Sequence, residues 1–183
     1  MWRDIFVTIV QLIVASPEEW KYIEREERTQ NDFLYRFLHP VFGIIALASF
    51  VGGLWFTRNG GLENALKNTI INIVAVYGGY FLVSYILNET APRFGLKKNL
   101  AEFQFFVGYS SVVIYLLYII IPFLPGFFIL WLLAFYTIHL VNTGAQLYIK
   151  VPEDKRTNFT VMASALVMLT PALVNILFSF LIK

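Results

Sequence analysis

The chain has 183 residues, of which 58% are hydrophobic, 17% aromatic and only 14% charged, with a formal net charge of +2. Soluble domains carry about 25% charged residues, so polar groups this sparse could not cover a soluble protein, and an integral membrane protein is expected. The absence of cysteine excludes disulfides, thiolate metal centres and cysteine nucleophiles.

The N-terminal segment comes before any stretch long enough to span. Between Asp4 and Glu18 lie 13 residues without charge, short of the ~20 that a crossing needs. Asp4, Thr8 and Gln11 share one helical face, with Trp2, Ile5, Phe6, Ile9 and Ile13 opposite, the pattern of a helix lying in the membrane interface. A cleaved signal peptide is the competing view, because Arg3 precedes an apolar stretch; Asp4 stands against it. The sequence "SPEE" reads as a helix start, with Ser16 as N-cap, Pro17 in the first position, and Glu18 and Glu19 favouring the dipole. The segment "EEWKYIEREERTQ" follows as a charged surface helix, in which Glu24 and Arg28 have the i, i+4 order that favours pairing.

Crossings are marked by intervals that lack ionised side chains, since a charge at the bilayer centre costs roughly 2.5–3.5 kcal/mol on insertion scales. There are 21 such residues between Arg36 and Arg58, 21 between Lys67 and Glu89, 47 between Glu102 and Lys150, and 26 between Arg156 and Lys183. The run of 47 holds two crossings divided at "IPFLPG", where Pro122 and Pro125 stop a helix and Gly126 allows the turn. The expected fold is therefore all-α and polytopic. Five transmembrane helices at 38–57, 68–88, 103–121, 126–149 and 159–182 make a domain over 38–183, preceded by amphipathic and charged helices over 1–37.

Lysine and arginine set the orientation. With the N-terminus cytoplasmic, the inner side holds Arg3, Lys21, Arg25, Arg28, Arg36, Arg93, Lys97, Lys98, Lys150, Lys155 and Arg156. The outer side, with the C-terminus, keeps Arg58, Lys67 and Lys183.

Within the spans, Ala46, Ser49 and Gly53 share a face of the first, and Ala75 and Gly79 a face of the second, as helices in close contact require. Asn68 and Asn72 lie one turn apart at the outer end of the second span. Thr170-Pro171 interrupts the fifth and predicts a kink there, with Asn175 one turn later on the same face.

The fourth span carries the most polar pattern. His139, Asn142, Thr143 and Gln146 fall at i, i+3, i+4, i+7 on one face, continued by Lys150. Polar groups in lipid must find partners, so this face is expected to point into the bundle or into a wet cavity. Glu102, Tyr109 and Ser110 of the antiparallel third span begin at the same side and complete a candidate binding pocket, in which Glu102 balances Lys150 or a protonated His139. Interhelical hydrogen-bond glue is the alternative use of the same residues. His39 and His139 show no ligand spacing, so no metal and no cofactor are expected; His39 before Pro40 reads as a helix start near the interface.

The five-span layout, "ASPEEWKYI" ahead of the first span, "VGYSSVVIYLL" at 107–117 and the short polar loop between the last two spans resemble the Yip family, the integral membrane proteins named for interaction with Ypt and Rab GTPases. Within it they resemble the bacterial branch, which implies the inner membrane. The resemblance singles out Gly108, Tyr109 and Ser110. The eukaryotic Asp-Leu-Tyr-Gly-Pro motif is missing, and Val112 and Val113 stand where a proline follows Gly-Tyr-Ser.

Three roles compete. A non-catalytic scaffold or adaptor would act through the N-terminal helices and dimerise, or bind a membrane-protein partner, through small-residue faces. A transporter or channel-like component would use the polar pocket for a small polar molecule or a lipid headgroup. An intramembrane lipid enzyme would use His139 as base with Glu102 or a serine assisting. Partners are the lipid bilayer, a lipid ligand and a second membrane protein, with no nucleic acid. The layout makes one direct prediction: a tag fused after Lys183 stays unreachable from the cytosol in intact cells, and labelling of that tag by a cytosolic reagent would overturn it.

Overall fold

A computed structural model describes residues 2–26, 28–57, 60–124 and 126–182; Arg58, Pro125, Lys183 and the side chain of Trp2, on which parts of the reading above rest, lie outside the described residues. The described residues are mostly helical, with no strand among them. Two short helices, α1 (Trp2–Val14) and α2 (Ser16–Arg25), precede the bundle. The expected cap is displaced by one residue. Ala15 occupies the N-cap position, and the buried Ser16 hydroxyl has no hydrogen-bond partner among the described residues. The expected faces of α1 are not kept: Thr8 of the polar face turns inward with Ile5 and Leu12, while Phe6 of the apolar face is exposed, as are Val10 and Val14. A helix this apolar can pack on the bundle and still offer a greasy outer side.

Thr29 caps the next helix, accepting from the Asp32 N–H at 3.2 Å. That helix, α3 (Gln30–Phe33), continues through a π-turn (Leu34–Leu38) into α4 (His39–Trp55), 26 helical residues in all. His39 thus lies inside a continuous helix rather than at a start. Pro40 has no N–H to donate, and the i→i−5 bond from the His39 N–H to the Leu34 carbonyl absorbs the defect as a π-bulge. Helix α5 (Leu62–Thr90) and its 3-10 extension to Phe94 follow, ended by Gly95 at φ +76°.

The third predicted span is broken into α6 (Leu100–Ser110) and α7 (Val112–Ile120), the latter extended by a 3-10 turn to Phe123; the two limbs are bent by 47°. No proline is needed for the bend. The Ser111 hydroxyl donates to the Val107 carbonyl at 2.7 Å, and such back-bonding competes for the carbonyl and bends helices. A 3-10 stretch (Phe128–Phe135) and α8 (Tyr136–Leu147) come next, then α9 (Glu153–Leu181). Helix α9 runs unbroken through Pro171.

Among the described residues, three runs are long and apolar enough to cross a membrane, namely Gln30–Trp55, Leu62–Phe94 and Glu153–Leu181, and the bent pair taken as one span makes a fourth. The segment expected to cross at 126–149 is not one α-helix. It is divided between a 3-10 stretch of eight residues and an α-helix of twelve and is not among the runs that can cross, so up to four of the five expected crossings are found.

Helix α5 is the centre, packed along α4 on one side and α9 on the other. Both contacts are made at glycines of the predicted small-residue faces. A Cβ on Gly53 would stand 2.7 Å from Ala65 Cα, and one on Gly79 would stand 2.7 Å from Pro171 Cγ. Pro171, expected as a kink, is also the knob that seats α9 on α5. The opposite face of α9 exposes Val161, Leu169, Leu173, Ile176 and Phe180, the apolar surface that lipid demands. We expect Gly79→Ala to lower thermal stability in detergent by about 1–3 kcal/mol through overpacking. Gly78→Ala, whose Cβ would meet Val174 at an ordinary 3.6 Å, should leave stability unchanged or slightly raised.

Candidate functional site

The loops rich in lysine and arginine gather at one end of the bundle, where α2 packs on α8 and the 3-10 turn after α5 meets α9. At this basic end the N-terminal segment is bolted to the bundle by two aromatic side chains seated over glycines. Trp20, fully buried, lies over Gly144 of α8, where an added Cβ would come within 2.6 Å of its ring. Phe33, also fully buried, covers Gly108 of α6, where a Cβ would meet it at 2.4 Å.

Tyr109 stands between these anchors. Its ring meets Trp20 edge-on at 6.2 Å, Phe33 at 5.0 Å and Phe37 at 4.9 Å. Its hydroxyl accepts from Arg28 Nη1 at 3.1 Å, and Arg28 Nη2 pairs with Glu26 at 2.7 Å. Burial pushes the Glu19 carboxyl above the usual carboxylate range, opposed by a hydrogen bond with Thr8 and the charge of Arg28. Gln30 donates to the buried Gln104, tying the start of α3 to α6. The expected Glu24–Arg28 pair does not form, because α2 ends at Arg25 and carries Arg28 away from it. Glu24 instead pairs with Lys150, whose ammonium it holds above the ordinary lysine value.

The predicted pocket residues separate into two groups. Tyr109 and Ser110 are fully buried, Thr143 is buried, and Glu102 is half-buried near Lys150. The Ser110 hydroxyl has no partner among the described residues, while Thr143 donates to the His139 carbonyl at 2.9 Å. His139, Asn142, Gln146 and Lys150, however, are exposed. The expectation that this stripe faces the bundle interior is therefore corrected. The inward face of α8 is Leu140, Val141, Thr143, Gly144 and Ala145, because Gly144 must meet Trp20. Asn142 keeps one tie to the bundle, accepting from the Thr160 hydroxyl at 3.3 Å; His139 touches the Tyr136 ring. His139 and Lys150, eleven residues apart, are roughly three helical turns from each other, so His139 is remote from Glu102. No group of His, Asp and Glu that could hold a metal occurs among the described residues.

Sequence reasoning placed Arg28 on this side, though paired with Glu24, but missed Trp20 and Phe33 as the anchors of this end. Their signal was present only as aromatic residues within a polar helix and glycines within apolar ones. Replacing Arg28 with Ala should loosen residues 16–37 by about 1.5–3 kcal/mol, the worth of a charged hydrogen bond, measured as faster amide exchange there with α5 and α9 unaffected. Arg28→Lys should not restore protection, since one ammonium cannot make both contacts of the fork.

Residues 10–175 match the family model described as Yip1 domain. No curated protein and no solved structure matches the chain.

Proposed function

The chain belongs to the Yip family of integral membrane proteins, and on that premise we propose that it is a non-catalytic scaffold that pairs through α8 and presents α2 to partners at the membrane surface. The observation that carries this reading is the outward stripe His139, Asn142 and Gln146. These residues fall in the 47-residue interval free of charge, and polar side chains at such depth need protein partners. Amides are self-complementary, each offering donors and an acceptor, so a second copy meeting this face about a two-fold axis would satisfy both. Another membrane protein with a polar helix face would do the same.

At the basic end, α2 buries Trp20 and Ile23 and exposes Glu18, Lys21, Tyr22 and Arg25. The aromatic anchors turn this short charged helix into a fixed shelf. The excess of lysine and arginine supports placing the shelf in the cytoplasm and the chain in the inner membrane of a bacterium. The remoteness of His139 from Glu102 weighs against acid–base catalysis, which needs both groups within reach of one substrate.

The lack of cysteine makes the pairing directly testable. Single-cysteine variants Asn142→Cys and Gln146→Cys, oxidised in native membranes, should form disulfide-linked dimers, and Leu173→Cys on the lipid face of α9 should not. Dimers at none of these positions, or equally at all three, would overturn pairing through α8.

A further inference from the structure

A second feature lies at the end opposite the basic loops, independent of the pairing face. A cavity of about 330 Å³ opens between α4, α5, α9 and the 3-10 turn after α7. At its edge Pro122 stands against Gly52, where an added Cβ would fall 2.4 Å from it. Three amides converge on it. Asn175 donates to the Asn72 carbonyl oxygen at 2.8 Å, and Asn72 donates to the Ser49 hydroxyl at 2.9 Å, a ladder that crosses α9, α5 and α4. Asn68 lines the same space, and its amide has no hydrogen-bond partner among the described residues.

We propose that this cavity binds the uncharged, hydroxyl-bearing headgroup of a lipid entering from the side of the bundle. The chemistry of the lining selects it. Asn68, the free N–H of each laddered asparagine and the Asn175 carbonyl oxygen supply both donors and acceptors, as a hydroxyl group requires. Among the described residues no charged side chain lines the cavity, so a phosphate or carboxylate would be desolvated there without a counter-charge from them. The volume lies at the low end of the roughly 300–1,000 Å³ range of small-molecule sites, enough for a headgroup and its first carbons. The wall explains the lateral route. Trp131 and Ile176, both lining residues, are 39% and 54% exposed and continue into the apolar face of α9, so an acyl chain can lie along them while the headgroup reaches the amides.

The test uses the full chain in phosphatidylcholine nanodiscs doped with a diacylglycerol that carries a photoreactive diazirine on one acyl chain. Cross-links should map to peptides containing Trp131 and Ile176. Ala172→Phe, which fills the cavity without touching the amide ladder, should reduce them. Asn68→Leu, which breaks no hydrogen bond of the fold, should reduce them about fivefold, the factor expected from one lost hydrogen bond. A phosphatidic acid probe with the same chains should label these peptides no better than it labels the remainder of α9. Undiminished diacylglycerol labelling in both variants, or equal labelling by phosphatidic acid, would overturn the proposal. Neither variant touches α8, so a failure here leaves the pairing result intact.

Discussion

Helices surrounded by hydrocarbon gain little by hiding apolar side chains from one another, so this bundle depends on how closely its backbones approach. Five glycines provide that approach. Gly53 admits Ala65, Gly79 admits Pro171, Gly52 admits Pro122, Gly108 admits Phe33 and Gly144 admits Trp20. The first three join membrane-spanning elements to each other. The last two fasten the N-terminal segment to the bundle, and they explain why α1, α2 and α3 share one hydrophobic core with it instead of floating beneath the bilayer.

The two ends of the molecule solve the problem of polarity differently. At the basic end, charge meets charge or an aromatic hydroxyl, as in Arg28 with Glu26 and Tyr109, or Lys150 with Glu24. At the other, neutral amides make a ladder across three helices. Ionic contacts tolerate water and belong near a surface, whereas amides hold their strength where no counter-ion can follow. The stripe on α8 fits neither solution within a single chain, which is why its partners are sought outside.

Helical class and membrane character were legible because charge-free intervals are a coarse signal that survives local irregularity. The small-residue faces with Gly53 and Gly79 were legible for a similar reason, since glycine in a span has few other uses. The direction of the α8 stripe was not. Its four polar residues give a clean helical period, but period alone does not say which side is inward. That was settled by Gly144, whose lack of a side chain receives Trp20 from more than a hundred residues away. The expected ion pair failed in the same manner: Glu24 and Arg28 are well spaced for pairing, yet α2 ends at Arg25, so Glu24 pairs with Lys150 while Arg28 turns to Glu26 and the Tyr109 hydroxyl. The bend at Ser111 was hidden because a serine that bonds to its own helix looks, in sequence, like any other serine.

That bend has a mechanical meaning. The Ser111 N–H still donates to Val107 at 3.0 Å, so the elbow keeps a bond that proline would have abolished for good. One limb of the elbow carries Tyr109 and its grip on the N-terminal segment; the other carries Tyr118 and Pro122 at the asparagine-lined cleft. Opposite poles of the protein are thus mounted on a single crank, and any change in its angle displaces both together.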